Sequence, residues 1–147
     1  MQVKSATNRV PFDPAILALD GEGGGHLIGS RCSACGAVYF PRQTFCVACL
    51  AENTLADCAL SRHGQLYAYT IVTRESIAPK DFEVPYVYGY VDLPEGVRVV
   101  SKIVDWDAST LRIDMPVELV VEKLRTQPDG TDVMAFRHRP LVDGATP

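Results

Sequence analysis

The chain has 147 residues, enough for one domain or two small ones and too few for a long multidomain enzyme. Hydrophobic residues make up 47% and charged residues 22%, which excludes a disordered or collagen-like chain. Basic residues number 14 against 18 acidic ones, for a net charge of −4, and the whole deficit falls in residues 66–147, so that half is a poor binder of nucleic-acid backbones.

No apolar run approaches the roughly 20 residues that span a bilayer. The N-terminal stretch also lacks the basic start, apolar segment and small cleavage residues of a secretory signal, so the cytoplasm is the expected setting. In chain order, Asp13 can cap a short helix that begins at Pro14, continues through Ala15 to Leu19 and stops at Asp20-Gly21. Gly21 to Gly25 is glycine except for Glu22 and reads as a flexible hinge, so residues 1–30 are taken as helix and linker.

Residues 31–60 carry Cys32-Ser33-Ala34-Cys35-Gly36 and Cys46-Val47-Ala48-Cys49, a C-x2-C-x10-C-x2-C pattern. Two tight turns of this kind bring four thiolates around one ion, and four protein ligands leave no open position for catalysis. One structural Zn²⁺ is the expected cofactor; iron uses the same ligand set. Gly36 can take the positive φ that such a turn favours, while Leu50 holds the equivalent place in the second turn without that freedom. Tyr39, Phe40 and Phe45 are candidates for an apolar cap. Cys58 stands apart with no adjacent histidine and reads as a buried hydrophobe, not a nucleophile.

From about Gln65 the pattern alternates, and five strands are predicted: Leu66–Thr73, Tyr86–Leu93, Val97–Val104, Val117–Leu124 and Asp132–Arg139. Leu93-Pro94-Glu95-Gly96 and Gln127-Pro128-Asp129-Gly130 supply the turns of two hairpins. Five short strands suit an oligonucleotide/oligosaccharide-binding (OB) barrel over residues 61–140, followed by a flexible tail at 141–147. The fold class is therefore mainly β: a short N-terminal helix, a rubredoxin-like zinc ribbon and a five-stranded barrel. By parity Val87, Gly89, Val91 and Leu93 face inward, leaving Tyr86, Tyr88 and Tyr90 outward as a candidate partner surface. Arg74 to Pro85 is a longer polar loop, a second candidate for partner contact.

Taken together, Arg31-Cys32-x-x-Cys35-Gly36, Phe40-Pro41-Arg42, Cys46-x-x-Cys49, Gly64-x-x-Tyr67-x-Tyr69-Thr70 and Asp92-Leu93-x-Glu95-Gly96-Val97-Arg98 resemble a known family over roughly Leu17 to Pro140. It is the zinc-ribbon-plus-OB-fold family whose members accompany thiolase-like and hydratase-like enzymes acting on acyl-CoA. One proline precedes Arg42 where the family commonly has two. The resemblance implies a non-catalytic accessory subunit in a hetero-oligomer, with thiolysis, condensation or hydration left to the larger partner. His26, His63 and His138 sit in no evident nucleophile constellation, which agrees. Lys123, Arg125, Arg137 and Arg139 form the one basic end of an acidic domain and are candidate contacts to coenzyme A phosphates. The competing reading is a nucleic-acid or protein-binding module, since zinc ribbons and OB barrels serve both.

Overall fold

A computed structural model describes residues 8–21, 23–80 and 82–141. The expected tail lies, beyond Leu141, outside them. Among the described residues run ten strands: β1 (Arg9–Pro11), β2 (Leu17–Leu19), β3 (Gly25–Cys32), β4 (Val38–Tyr39), β5 (Leu55–Ala59), β6 (His63–Val72), β7 (Tyr86–Asp92), β8 (Arg98–Ile103), β9 (Pro116–Thr126) and β10 (Asp132–Pro140). One turn of 3-10 helix, Glu75–Ile77, sits between β6 and β7.

The five alternating segments all become strands, in the order β10-β8-β7-β6-β9, and pairing of β9 with β10 closes them into a barrel. Closure leaves no long unpaired edge. Both Pro-Gly segments form the expected tight connections, with Leu93 N–H donating to Val97 O at 2.9 Å and Gln127 N–H to Thr131 O at 2.8 Å. The barrel is completed where β8 meets β10 in parallel, Val104 N–H donating to His138 O at 2.8 Å. Its interior is filled by Leu66, Val87, Val91, Val99, Ile103, Val117 and Leu119, all buried. Each such aliphatic side chain contributes roughly 1.5–3 kcal/mol on leaving water.

A register shift between Leu66 and Ala68 interrupts the β6–β7 ladder. It separates two tyrosines that plain alternation puts on one face. Tyr67 turns out to solvent under the guanidinium of Arg98, 3.5 Å from its ring centre, while the Tyr69 hydroxyl donates to Leu111 O at 3.4 Å.

The expected N-terminal helix is absent. Asp13 does cap a turn: its carboxylate accepts from Ala15 N–H at 2.9 Å and its carbonyl from Ile16 and Leu17 N–H at 3.0 Å. Six residues are too few to propagate a helix against competition, and here Leu17, Ala18 and Leu19 pair antiparallel with Leu27, His26 and Gly25 instead. The glycine segment is accordingly the loop of a hairpin and not a hinge, with Asp20 N–H donating to Gly24 O and Gly24 N–H to the Asp20 carboxylate, both at 3.0 Å. β3 then runs unbroken through residues 30 and 31, where a domain boundary was expected, and pairs with β4 and β5. The sheet of the ribbon is thus built partly from the segment taken as linker.

Ribbon and barrel share one core. Leu17, Leu27 and Leu60 are buried in the same cluster as the barrel aliphatics. Gly25 lets β2 and β9 approach, since a Cβ there would lie 2.5 Å from Ala18 O and 3.2 Å from a Val121 methyl. At the junction Ser61 N–H and Oγ both donate to one carboxylate oxygen of Glu95, at 2.9 and 2.7 Å. The β7–β8 turn therefore grips the connection out of the ribbon. β1 adds a parallel strand to β10, pairing Arg9, Val10 and Pro11 with Asp132, Val133 and Met134.

The one buried histidine, His138, lies fully inside, its Nδ1 2.8 Å from Ser101 Oγ and its Nε2 without a partner. Burial pulls its pKa down to about 4 from the ordinary 6.5. Between those two values the unfolded chain binds a proton that the native state refuses, so stability is full above about pH 6.5 and falls on acidification by up to about 1.4 kcal/mol per pH unit. Urea midpoints measured from pH 7 to 4.5 are expected to show this slope, and His138→Gln to flatten it; equal slopes in the two proteins would refute the assignment.

Candidate metal centre

The four predicted cysteines meet. Their sulfurs all lie within 4.8 Å of one another, with Cys32 and Cys49 at 3.8 Å and Cys35 and Cys46 at 3.5 Å. A tetrahedral ion with Zn–S bonds of about 2.3 Å sets sulfurs about 3.8 Å apart, so the cluster has the size that Zn²⁺ requires. With every position taken by protein, the ion holds shape and is closed to substrate.

Two similar knuckles supply the ligands. In the first, Gly36 N–H donates to Cys32 O at 2.8 Å and Cys32 N–H to Ala37 O at 2.8 Å; in the second, Leu50 N–H donates to Cys46 O at 2.8 Å and Cys46 N–H to Ala51 O at 3.4 Å. Gly36 has φ 82° and Leu50 takes φ 62°, so the leucine adopts the left-handed backbone that its neighbour reaches with no side chain to hinder it. That conformation costs a residue with a Cβ roughly 1–2 kcal/mol, and the Leu50 side chain, 72% exposed, recovers none of it by burial.

Hydroxyl groups complete the surroundings. Thr54 Oγ1 lies 3.2 Å from the Cys32 sulfur, and the Tyr39 hydroxyl lies 3.2 Å from the Cys46 sulfur while accepting from Ala48 N–H at 3.1 Å. The Thr54 hydroxyl, ahead of neighbouring backbone N–H groups, draws the Cys32 thiol down to about 6. The Tyr39 hydroxyl does the same in direction for Cys46. Both favour the thiolate, the form that binds metal. Of the three expected cap residues only Tyr39 reaches the sulfurs; Phe40 packs on the main core and Phe45 is exposed. Thr54 carried no sequence signal, because it lies five residues past the last ligand and reaches back through space.

The other expected residues are dispersed. Tyr88 and Tyr90 are 43% and 47% exposed on the outer sheet face, beside Val100, but Tyr86 is buried under Phe82, whose ring stands edge-on to it at 4.9 Å. Arg137 Nε donates to Glu122 at 3.1 Å and Arg139 Nε to Glu118 at 2.9 Å. Lys123 and Arg125 pair with Met134 and Val133 toward the other end of the β9–β10 ladder, and among the described residues neither forms an ion pair. The four cations therefore do not make a single cluster. His63 faces Glu118 at 3.8 Å, and Cys58 is half-buried on β5 opposite Gly29. The long loop turns back on the barrel through Phe82.

A four-sulfur ribbon packed against a closed five-stranded barrel defines a zinc-ribbon/OB-fold protein. Residues 22–54 match the family described as "ChsH2, rubredoxin-like zinc ribbon domain" and residues 58–122 that described as "ChsH2, C-terminal OB-fold domain". A "DUF35 domain-containing scaffold protein" of Methanocaldococcus jannaschii is 36% identical over 78% of this chain and 82% of its own. The "Benzoylsuccinyl-CoA thiolase subunit BbsA" of Thauera aromatica is 31% identical over 88% of both chains. A solved structure described as an "Ltp2-ChsH2(DUF35) aldolase" superposes with a TM-score of 0.61 at 30% identity, covering 80% of this chain and 86% of that one. The chain belongs to the ChsH2-type DUF35 family. No helix among the described residues is long and apolar enough to cross a membrane.

Two tests bear on the metal centre. Tyr39→Phe and Thr54→Val are each expected to weaken zinc about 10–100-fold in competition with a chromophoric chelator, as loss of a supporting hydrogen bond does elsewhere; unchanged affinity in both would show that the hydroxyls are idle. In thermal unfolding of the zinc-loaded protein, Gly36→Leu should cost about 1–2 kcal/mol and Leu50→Gly nothing. A loss at Leu50→Gly as large as at Gly36→Leu would mean that the leucine side chain supports the fold.

Proposed function

We propose that this chain is a non-catalytic, zinc-stabilised accessory subunit that docks on a larger, thiolase-like catalytic subunit of an acyl-CoA-processing complex. The reading is carried by the likeness to the benzoylsuccinyl-CoA thiolase subunit BbsA, which extends over 88% of each chain and so runs through ribbon and barrel alike. The partner supplies the nucleophile and base for carbon–carbon bond thiolysis or condensation. This chain supplies surface. A cytoplasmic setting keeps the four thiolates reduced for metal.

Tyr88, Tyr90 and Val100 form an exposed apolar and aromatic patch on one sheet face, the composition that favours stable protein contact. Tyr86 serves that face indirectly, by holding Phe82 and its loop down. Lys123 and Arg125, without carboxylate partners among the described residues, are the cations we assign to the phosphates of a coenzyme A bound at the interface; Arg137 and Arg139 are a second set, already engaged by glutamates.

Gel filtration of the full chain mixed with a thiolase-like protein from the same genome should give one co-migrating species that cleaves or forms acyl-CoA, whereas the isolated chain turns over no thioester. Tyr90→Asp should raise the dissociation constant by at least about tenfold, the effect of losing an aromatic anchor. Separate elution at micromolar concentrations, or thioester turnover by the chain alone, would refute the reading. Replacing Lys123 and Arg125 together by Glu should raise KM for acyl-CoA in the complex and leave kcat in place.

A further inference from the structure

On the outer surface of the barrel, where the β6–β7 loop folds over the sheet, lies a groove of about 330 Å³. Residues from six separate segments reach it: Phe12 just past β1, Phe82 from the loop, Tyr88 from β7, Lys102 from β8, Leu124 from β9 and Arg137 from β10. Buried Ala135 lines it too, a small side chain that leaves space open between the larger aromatic ones.

The charges there are unusual for this chain. Lys102 Nζ stands 4.4 Å and the Arg137 guanidinium 5.7 Å from the centre of the same ring, Phe82. Two like charges are thus gathered on one aromatic side chain, in the half of the protein where acids outnumber bases. Among the described residues their only carboxylate partner is Glu122, on Arg137; within the same set Lys102 forms no ion pair, and exposed Glu83, next to Phe82, pairs with neither. The Arg137 side chain is only 12% exposed, so part of this positive charge is withdrawn from water, where an anion would be bound more strongly than at an open surface.

We propose that this groove is a binding site for a small ligand that joins one planar aromatic ring to one anionic group. Phe12, Phe82 and Tyr88 offer the ring aromatic surface, which favours offset or edge-on contact. Lys102 and Arg137 take the anion. The volume lies at the lower end of small-molecule sites and suits a single ring with its charged substituent. Its lining comes from this chain alone, so occupancy does not require the catalytic partner; Tyr88 and Val100 at its edge are shared with the docking patch, and Arg137 with the second set of cations assigned to coenzyme A.

The test titrates the zinc-loaded full-length protein with phenyl phosphate, benzoate, inorganic phosphate and benzyl alcohol, following amide chemical shifts and heats of binding. Phenyl phosphate or benzoate should bind about tenfold tighter than either half-probe, with shifts centred on Phe82, Tyr88 and Lys102; which of the two is preferred tells phosphate from carboxylate. Lys102→Met, a change at a half-buried position that keeps the aliphatic stem, should weaken binding about tenfold, and Phe82→Leu should reduce phenyl phosphate to the level of inorganic phosphate. Unfolding midpoints of both variants establish that they are folded. Shifts centred elsewhere, equal binding of ring-bearing and ring-free anions, or unchanged affinity in Lys102→Met would overturn the proposal.

Discussion

Four cysteine sulfurs held within 4.8 Å of one another are the constraint from which the front of this protein takes its form. Thiolates at that distance repel unless a cation lies between them, and a structural Zn²⁺ site supplies on the order of 10–16 kcal/mol of apparent binding free energy that the unfolded chain lacks. The ribbon has little else to hold it. β4 is two residues long, and Phe45, Val47 and Leu50 remain 47%, 56% and 72% exposed. The metal therefore stands in for a hydrophobic core in the knuckles, while ordinary packing takes over at β3 and β5.

That handover is what makes ribbon and barrel one body. β3 begins against β9, with Gly25 beside Val121, and ends in the ligand Cys32. A single strand thus links barrel packing to metal geometry, and any rotation of the ribbon would have to pull Leu17, Leu27 and Leu60 from the shared core. Glu95 adds a polar lock by fixing Ser61 with one carboxylate oxygen. A charged group already half desolvated is costly to leave unpaired, which makes the Asp-Leu-x-Glu-Gly turn a structural clasp as well as a hairpin.

Legibility followed the range of the interactions. The metal ligands were readable because the chemistry of a four-thiolate site is written in local spacing, and the barrel strands because alternation and Pro-Gly turns act over a few residues. The N-terminal segment was misread for the same reason: Asp13-Pro14 is a genuine local start signal, and only the later Gly25–Leu27 strand converts Leu17–Leu19 to β structure. β1 offered three residues and a parallel partner more than 120 residues away, which leaves no periodic trace. The β6 bulge defeated parity at Tyr67 and Tyr69, and Thr54 and Glu95 act through space on partners that no motif announces.

The charged residues show how such a sequence can mislead by proximity. Lys123, Arg125, Arg137 and Arg139 look like one basic end because a hairpin brings two strand ends together in the mind of a reader. In an antiparallel ladder, however, positions equally far from the turn are the neighbours. Arg139 therefore lies opposite Glu118 and Arg137 opposite Val120, well along the strands from Lys123 and Arg125 near the turn. The field is split accordingly: glutamates neutralise one pair, the other faces solvent, and the cation that truly joins Arg137 is Lys102, from a strand no linear reading sets beside it. The arrangement of charge on this barrel surface is thus set by which strands are neighbours around the closed sheet, and the closing contact between β8 and β10 creates the juxtaposition.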